Sequence, residues 1–74
     1  MTAPKFCVLL FPSVSYAMLA EKILKRQGIP HKVIPVPRQI SSDCGVCIRF
    51  SPDRRVQIES ALRSKVEIQE VCPI

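Results

Sequence analysis

The sequence has no tryptophan, one histidine, one tyrosine, three phenylalanines and only two glycines among its 74 residues. Scarce glycine and the lack of any low-complexity run argue against a disordered chain or a flexible linker. No internal repeat is present. The single histidine, His31, falls in a turn with no second metal ligand nearby in sequence, so it is expected to be solvated. The segments that read as central strands lack the mix of basic and aromatic residues on which unpaired bases stack, so no nucleic-acid partner is expected. Long apolar runs are missing too. The longest near the start, Phe6 to Phe11, is far too short to span a membrane. It has neither the basic flank nor the small-residue cleavage site of a signal peptide, so the expected location is the cytoplasm, with no membrane association.

Acidic residues are few: 6 against 11 Lys and Arg, a formal charge of +5. That balance favours an acidic partner or ligand without naming one. The basic residues are scattered, in runs no longer than a pair such as Arg54-Arg55.

What the chain does have is apolar content, 47%, and seven prolines. Its length allows one domain, spanning 1–74, that buries roughly 60% of the surface its unfolded form would expose. Lys5 to Phe11 reads as a strand covered on both faces. Pro12 ends it, and Ser13 or Ser15 can cap a helix whose apolar stripe runs Tyr16, Leu19, Ala20, Ile23, Leu24 and which Gly28 stops. Lys32 to Val36 is a second strand, confined to a sheet edge by Pro35 and Pro37. Gln39 to Gly45 is a polar loop. Val46 to Phe50 alternates, with Val46, Ile48 and Phe50 on one face and Cys47 and Arg49 on the other. Ser51-Pro52 opens a helix that turns Ile58, Ala61 and Leu62 inward. Glu67 to Val71 is a last strand, closed off by Pro73.

Strand, helix, strand, strand, helix, strand, with right-handed crossovers, predicts an α+β fold: a ferredoxin-like βαββαβ sandwich. Its antiparallel sheet has spatial order 4-1-3-2 and both helices on one face. The prolines agree, since the two strands that must be central contain none.

In a reducing cytosol four cysteines suggest thiol chemistry, metal or plain core rather than structural disulfides. This topology places Cys44 at one end of the sheet, with the start of the first helix at Ser13 to Ser15 and the turn at Ser64-Lys65. Cys7 and Cys72 fall at the other end, close to each other on neighbouring strands, so a closed four-cysteine zinc site is not expected. Cys44-Gly45-Val46-Cys47 is a C-x-x-C that opens a strand rather than a helix, unlike the thioredoxin arrangement. The spacing alone serves dithiol redox, soft-metal binding and thiolate nucleophiles alike. Gly45 permits a turn or a close ligand approach. The helix N-terminus, Arg38 and Lys65 would lower the Cys44 pKa while Asp43 would raise it. Ser41 and Ser42 either line a bound sulfur species or are ordinary turn serines. Cys47 is either a resolving thiol or a simple strand residue. Cys7 and Cys72 read as structural.

The stretch from Val36 to Phe50, with its Pro37-Arg38, Ser41-Ser42 and Cys44-Gly45 elements, resembles the DUF3343 family of selenium/sulfur carrier-like bacterial proteins. The resemblance extends over the chain, including the first strand and the helix around Tyr16 to Leu24. It implies a carrier with a persulfide or perselenide on Cys44. On that reading Arg38 would steer an anionic ligand, Ser41, Ser42 and Gly45 would lie beside the cargo, and Cys47, whose presence also raises a dithiol or metal-binding variant, could release it by forming a disulfide. The resemblance further implies exchange with a TusA-like sulfurtransferase or a cysteine desulfurase-type donor, and no cofactor. Such a carrier need not turn over as an enzyme. The alternatives are a soft-metal protein holding copper or zinc on Cys44 and Cys47, or an interaction module without chemistry.

Overall fold

The first apolar run becomes β1, Cys7–Leu10, in the computed structural model, which describes residues 5–38, 40 and 45–74. All four β1 residues are buried, as an uninterrupted apolar strand requires. Alternation sends Cys7, Leu9 and the following Phe11 into the main core, and Val8 and Leu10 into a separate cluster on the opposite face. Three further strands join it: β2 (Lys32–Pro35), β3 (Val46–Phe50) and β4 (Glu70–Pro73). The sheet order is β2-β3-β1-β4 with every pairing antiparallel, the expected 4-1-3-2 arrangement. Helices α1 (Val14–Arg26) and α2 (Arg55–Leu62) both pack on the Leu9, Ile48 and Phe50 side. This is the ferredoxin-like α+β topology.

The prolines sit where a ladder tolerates them. Pro35 is on the edge strand β2 and Pro73 ends the other edge strand, β4. The helices need more comment. α1 buries Ala17, Ala20 and Leu24, while Tyr16 and Leu19 are 41% and 43% exposed. The apolar stripe read from the sequence was therefore centred too far round the helix. Two alanines let α1 approach the sheet closely, and the larger side chains beside them are left at the rim. In α2 the inward residues are Ile58, Ala61 and Leu62, as expected. A 3-10 turn at Pro52–Arg54 precedes it, and Ser51 contributes its carbonyl rather than its hydroxyl, accepting from the Arg54 N–H at 2.9 Å.

The last strand starts three residues later than the sequence pattern indicates, at Glu70 rather than Glu67. Val66, Ile68 and Val71 all reach the main core. The odd spacing from 68 to 71 cannot hold one face of a regular strand, so the chain bends there and pairs only from Glu70. Within the bend the Gln69 N–H donates to the Leu10 carbonyl at 2.7 Å, and Ser64 takes a left-handed φ of 67°.

The rear face of the sheet, away from the helices, is apolar in its middle. Val8, Leu10 and Cys47 there are 0%, 1% and 0% exposed. They are closed off by Val36 and Ile40 from the β2–β3 connection, with Ile34 and Cys72 alongside. Full burial of each such aliphatic side chain contributes about 1.5–3 kcal/mol, so this cover matters to stability.

α1 ends in a Schellman motif. The Ile29 N–H donates to the Leu24 carbonyl at 3.0 Å and the Gly28 N–H to Lys25 at 3.2 Å, while Leu24 and Ile29 meet in the core. Gly28 adopts φ 70°. A Cβ there would meet nothing within 4 Å, so the penalty for a side chain is conformational rather than steric. Gly28→Ala should cost about 1 kcal/mol. That lowers the thermal midpoint by roughly 4–8 °C, measurable by circular dichroism.

Candidate functional site

β2 and β3 are joined by the segment carrying the C-x-x-C. The Val36 N–H donates to the Gly45 carbonyl at 3.3 Å, which carries the ladder one step beyond β2. The Ile40 N–H then donates to Pro37 at 3.0 Å, closing a turn on which Arg38 is exposed. Gln39, Ser41, Ser42, Asp43 and Cys44 lie outside the described residues, so the expected roles of Cys44, Ser41 and Ser42 carry no geometry here. Gly45 is exposed, and an added Cβ would meet nothing within 4 Å. Its φ is not in the left-handed region, so its backbone does not itself demand glycine. The open space beside it suits a close ligand approach.

Strand register fixes what shares this end of the sheet. Leu9 pairs with Ile48 and Leu10 with Glu70. The head of β3, the end of β1 and the start of β4 therefore lie together, with Ser13 leading into α1 and Ser64-Lys65 leading toward β4. Ser13 caps α1 without a side-chain hydrogen bond. Lys65 is exposed.

The three described cysteines are in different surroundings. Cys7 is 5% exposed and faces the helices. Cys72 is half-buried and belongs to the rear cluster. Cys7 pairs in register with Pro73, and Val8 with Cys72, so Cys7 and Cys72 occupy neighbouring strands but opposite faces. The expectation that they form a close pair is corrected by this alternation. The thiol that shares a face with Cys72 is Cys47, which is fully buried and directs its Sγ toward the Pro35 carbonyl at 3.9 Å.

The proton affinity of Cys72 departs clearly from its ordinary value. Its Sγ donates to Glu70 Oε2 at 2.9 Å, and that bond is the largest cause of a pKa raised from 9.0 to about 11. Burial, the Glu70 charge and Cys47 push the same way. Glu70 and Cys72 are two apart on one strand and so share a face. The pair was not legible because the sequence placed the strand at Glu67 to Val71. A second pairing was missed entirely. His31, expected to be solvated, has a side chain only 10% exposed; its ring nitrogens reach the Ile29 carbonyl and the Glu21 carboxylate. No local spacing signals a contact across the helix terminus. A third contact, the Arg49 guanidinium over the Phe6 ring at 4.3 Å, joins β3 to the residue just before β1.

The sequence model of the family described as "Putative Se/S carrier protein-like" matches residues 6–73. The chain belongs to this family. Neither the curated proteins nor the solved structures give a match. For this member of the Se/S carrier-like family, the match covers every element of the fold, from β1 to β4. Among the described residues, no three His, Cys, Asp or Glu side chains converge as a metal-ligand set, and no helix is long and apolar enough to cross a membrane.

A thiol with a raised pKa is protonated and slow to alkylate. Its favourable bond to Glu70 stabilises the fold fully below the unfolded-state pKa and is lost as the pH rises through about 11. Glu70→Gln should return the Cys72 thiol toward its ordinary acidity. Iodoacetamide labelling of Cys72 at about pH 8 should then accelerate by about tenfold or more, read by peptide mass spectrometry.

Proposed function

We propose that the chain carries sulfur or selenium as a persulfide or perselenide on Cys44. The observation that carries this reading is the family match over residues 6–73, joined to the state of the other cysteines. Cys7 and Cys47 are buried and Cys72 holds its proton to about pH 11, so none of the three is suited to act as an accessible thiolate nucleophile. Cys44, next to exposed Gly45, is the remaining thiol.

In the proposed cycle the Cys44 thiolate attacks the terminal sulfur of a donor persulfide. A new S–S bond forms on Cys44, and the donor leaves as a thiolate. An acceptor thiolate then attacks that terminal atom and regenerates the Cys44 thiolate. The acceptor leaves as a persulfide, and no net oxidant is consumed. Release can instead go through Cys47 once Val36 and Ile40 lift from it: its thiolate then attacks Cys44 Sγ and expels hydrosulfide. The resulting Cys44–Cys47 disulfide is then reduced by a cellular dithiol. Exposed Arg38 is suited to steer an anionic donor group toward the loop. A TusA-like sulfurtransferase or a cysteine desulfurase-type protein in the cytoplasm is the donor this reading requires.

Cys44→Ser should leave the thermal midpoint within about 1 °C and abolish loading of labelled sulfur from a persulfide donor, which separates loss of chemistry from loss of fold. Cys47→Ala should retain loading and slow release. It should also destabilise the fold by about 1 kcal/mol, because its sulfur fills the rear cluster. Intact-mass spectrometry before and after addition of an acceptor thiol follows both steps. Wild-type loading by Cys44→Ser would overturn the proposal.

A further inference from the structure

The end of the sheet opposite Gly45 carries two cations in a setting that charge repulsion alone disfavours. Strand alternation puts Lys32 with Ile34, Arg49 with Cys47, and Phe6 with Val8 on the rear face. Lys32 and Arg49 are direct cross-strand partners. Such partners have Cβ atoms about 4.5–5.5 Å apart, and like charges there are destabilising. Among the described residues neither cation has an acidic partner. The ion pairs are His31 with Glu21 and Arg55 with Glu59. Glu21, an acidic group close enough to contact His31 of this cleft, is thus already engaged.

Arg49 is held in place nonetheless. Its guanidinium carbon lies 4.3 Å from the centroid of Phe6. A guanidinium fixed over a ring gives up little conformational freedom on binding and keeps in-plane N–H groups for a two-oxygen acceptor. Beside it opens a cleft of ≈ 270 Å³ lined by Phe6, Pro30, His31, Lys32, Arg49, Phe50 and Ser51. Two cations without an acidic partner among the described residues, and one serine, therefore line a single concavity with apolar walls.

We propose that this cleft binds a small oxyanion, a phosphate or carboxylate group, between the Lys32 ammonium and the Arg49 guanidinium, with the Ser51 hydroxyl as a further donor. The bound charge removes the Lys32–Arg49 repulsion, so binding and folding are linked and the ligand raises stability. From Gly45 to Arg49 the strand spans about 13 Å, so the oxyanion does not share the loop that carries Cys44. The site stands independently of the carrier reading.

The test is a titration of the ¹⁵N-labelled protein with sodium phosphate and, separately, with sodium benzoate, sodium chloride holding the ionic strength constant. Saturable shifts at Lys32, Arg49 and Ser51 are expected, and the tighter of the two probes tells whether a phosphate or a carboxylate with an apolar body is preferred. Lys32→Gln and Arg49→Gln should each weaken binding by about tenfold, the usual effect of losing a charged hydrogen bond. Without ligand, Lys32→Gln should keep or raise the thermal midpoint, since repulsion is relieved, and should lose the rise that phosphate gives the wild type. Should Arg49→Gln fold poorly, Lys32→Gln on the exposed edge strand suffices, with Lys22→Gln on α1 as the unaffected control. Non-saturating shifts spread equally over Lys22, Lys25 and Arg26, or wild-type affinity in Lys32→Gln, would overturn the proposal.

Discussion

A central strand that is apolar on both faces has to be covered on both, and the two α-helices among the described residues lie on one side. The rest of the architecture follows from that imbalance. Val8 and Leu10 would face water behind the sheet if the β2–β3 connection did not fold back to place Val36 and Ile40 over them. The segment that carries the Cys-Gly-Val-Cys sequence is therefore also a structural element. Its described residues close a second, smaller core.

Much of this was legible in the sequence where a pattern had one physical solution. β1 reads as buried because Lys5 to Phe11 has no polar alternation. β3 reads as two-faced because Val46 to Phe50 does, and the prolines at 35 and 73 pointed to the edges. Illegible parts had more than one solution. In α1 the expected stripe held Ala20 and Leu24, which are buried, and Ile23, which packs against the core, but it took Tyr16 and Leu19 in place of Ala17. Close approach to the sheet selects the smaller residues, which hydrophobicity alone ranks lower. In the C-terminal segment Val66 and Ile68 mimic a strand start, but they anchor a bend. At the site, the C-x-x-C was visible from spacing, whereas the burial of Cys47 was not. It depends on a loop closing over a sheet face that this topology could equally leave open.

Polar contacts were the least legible, for a common reason. Glu21 with His31, Glu70 with Cys72 and Arg49 with Phe6 each depend on register or on a turn geometry that composition does not set. Two of them give an acidic group a partner, which leaves positive charge dominant on the remaining surface of a chain with net charge +5. The two ends of the sheet are thereby given different characters. One gathers loop termini around Gly45, and the other presents Lys32 and Arg49 beside an apolar-walled cleft.

The position of Cys47 has a kinetic consequence. Its sulfur is sealed behind residues supplied by the same connection that bears the exposed Gly45. A bulky thiol reagent reaches it only when that cover lifts, so its modification rate is the product of an opening equilibrium and an intrinsic reactivity. The molecule thus contains its own clock for the lifting of Val36 and Ile40 from the sheet, one that runs on native protein.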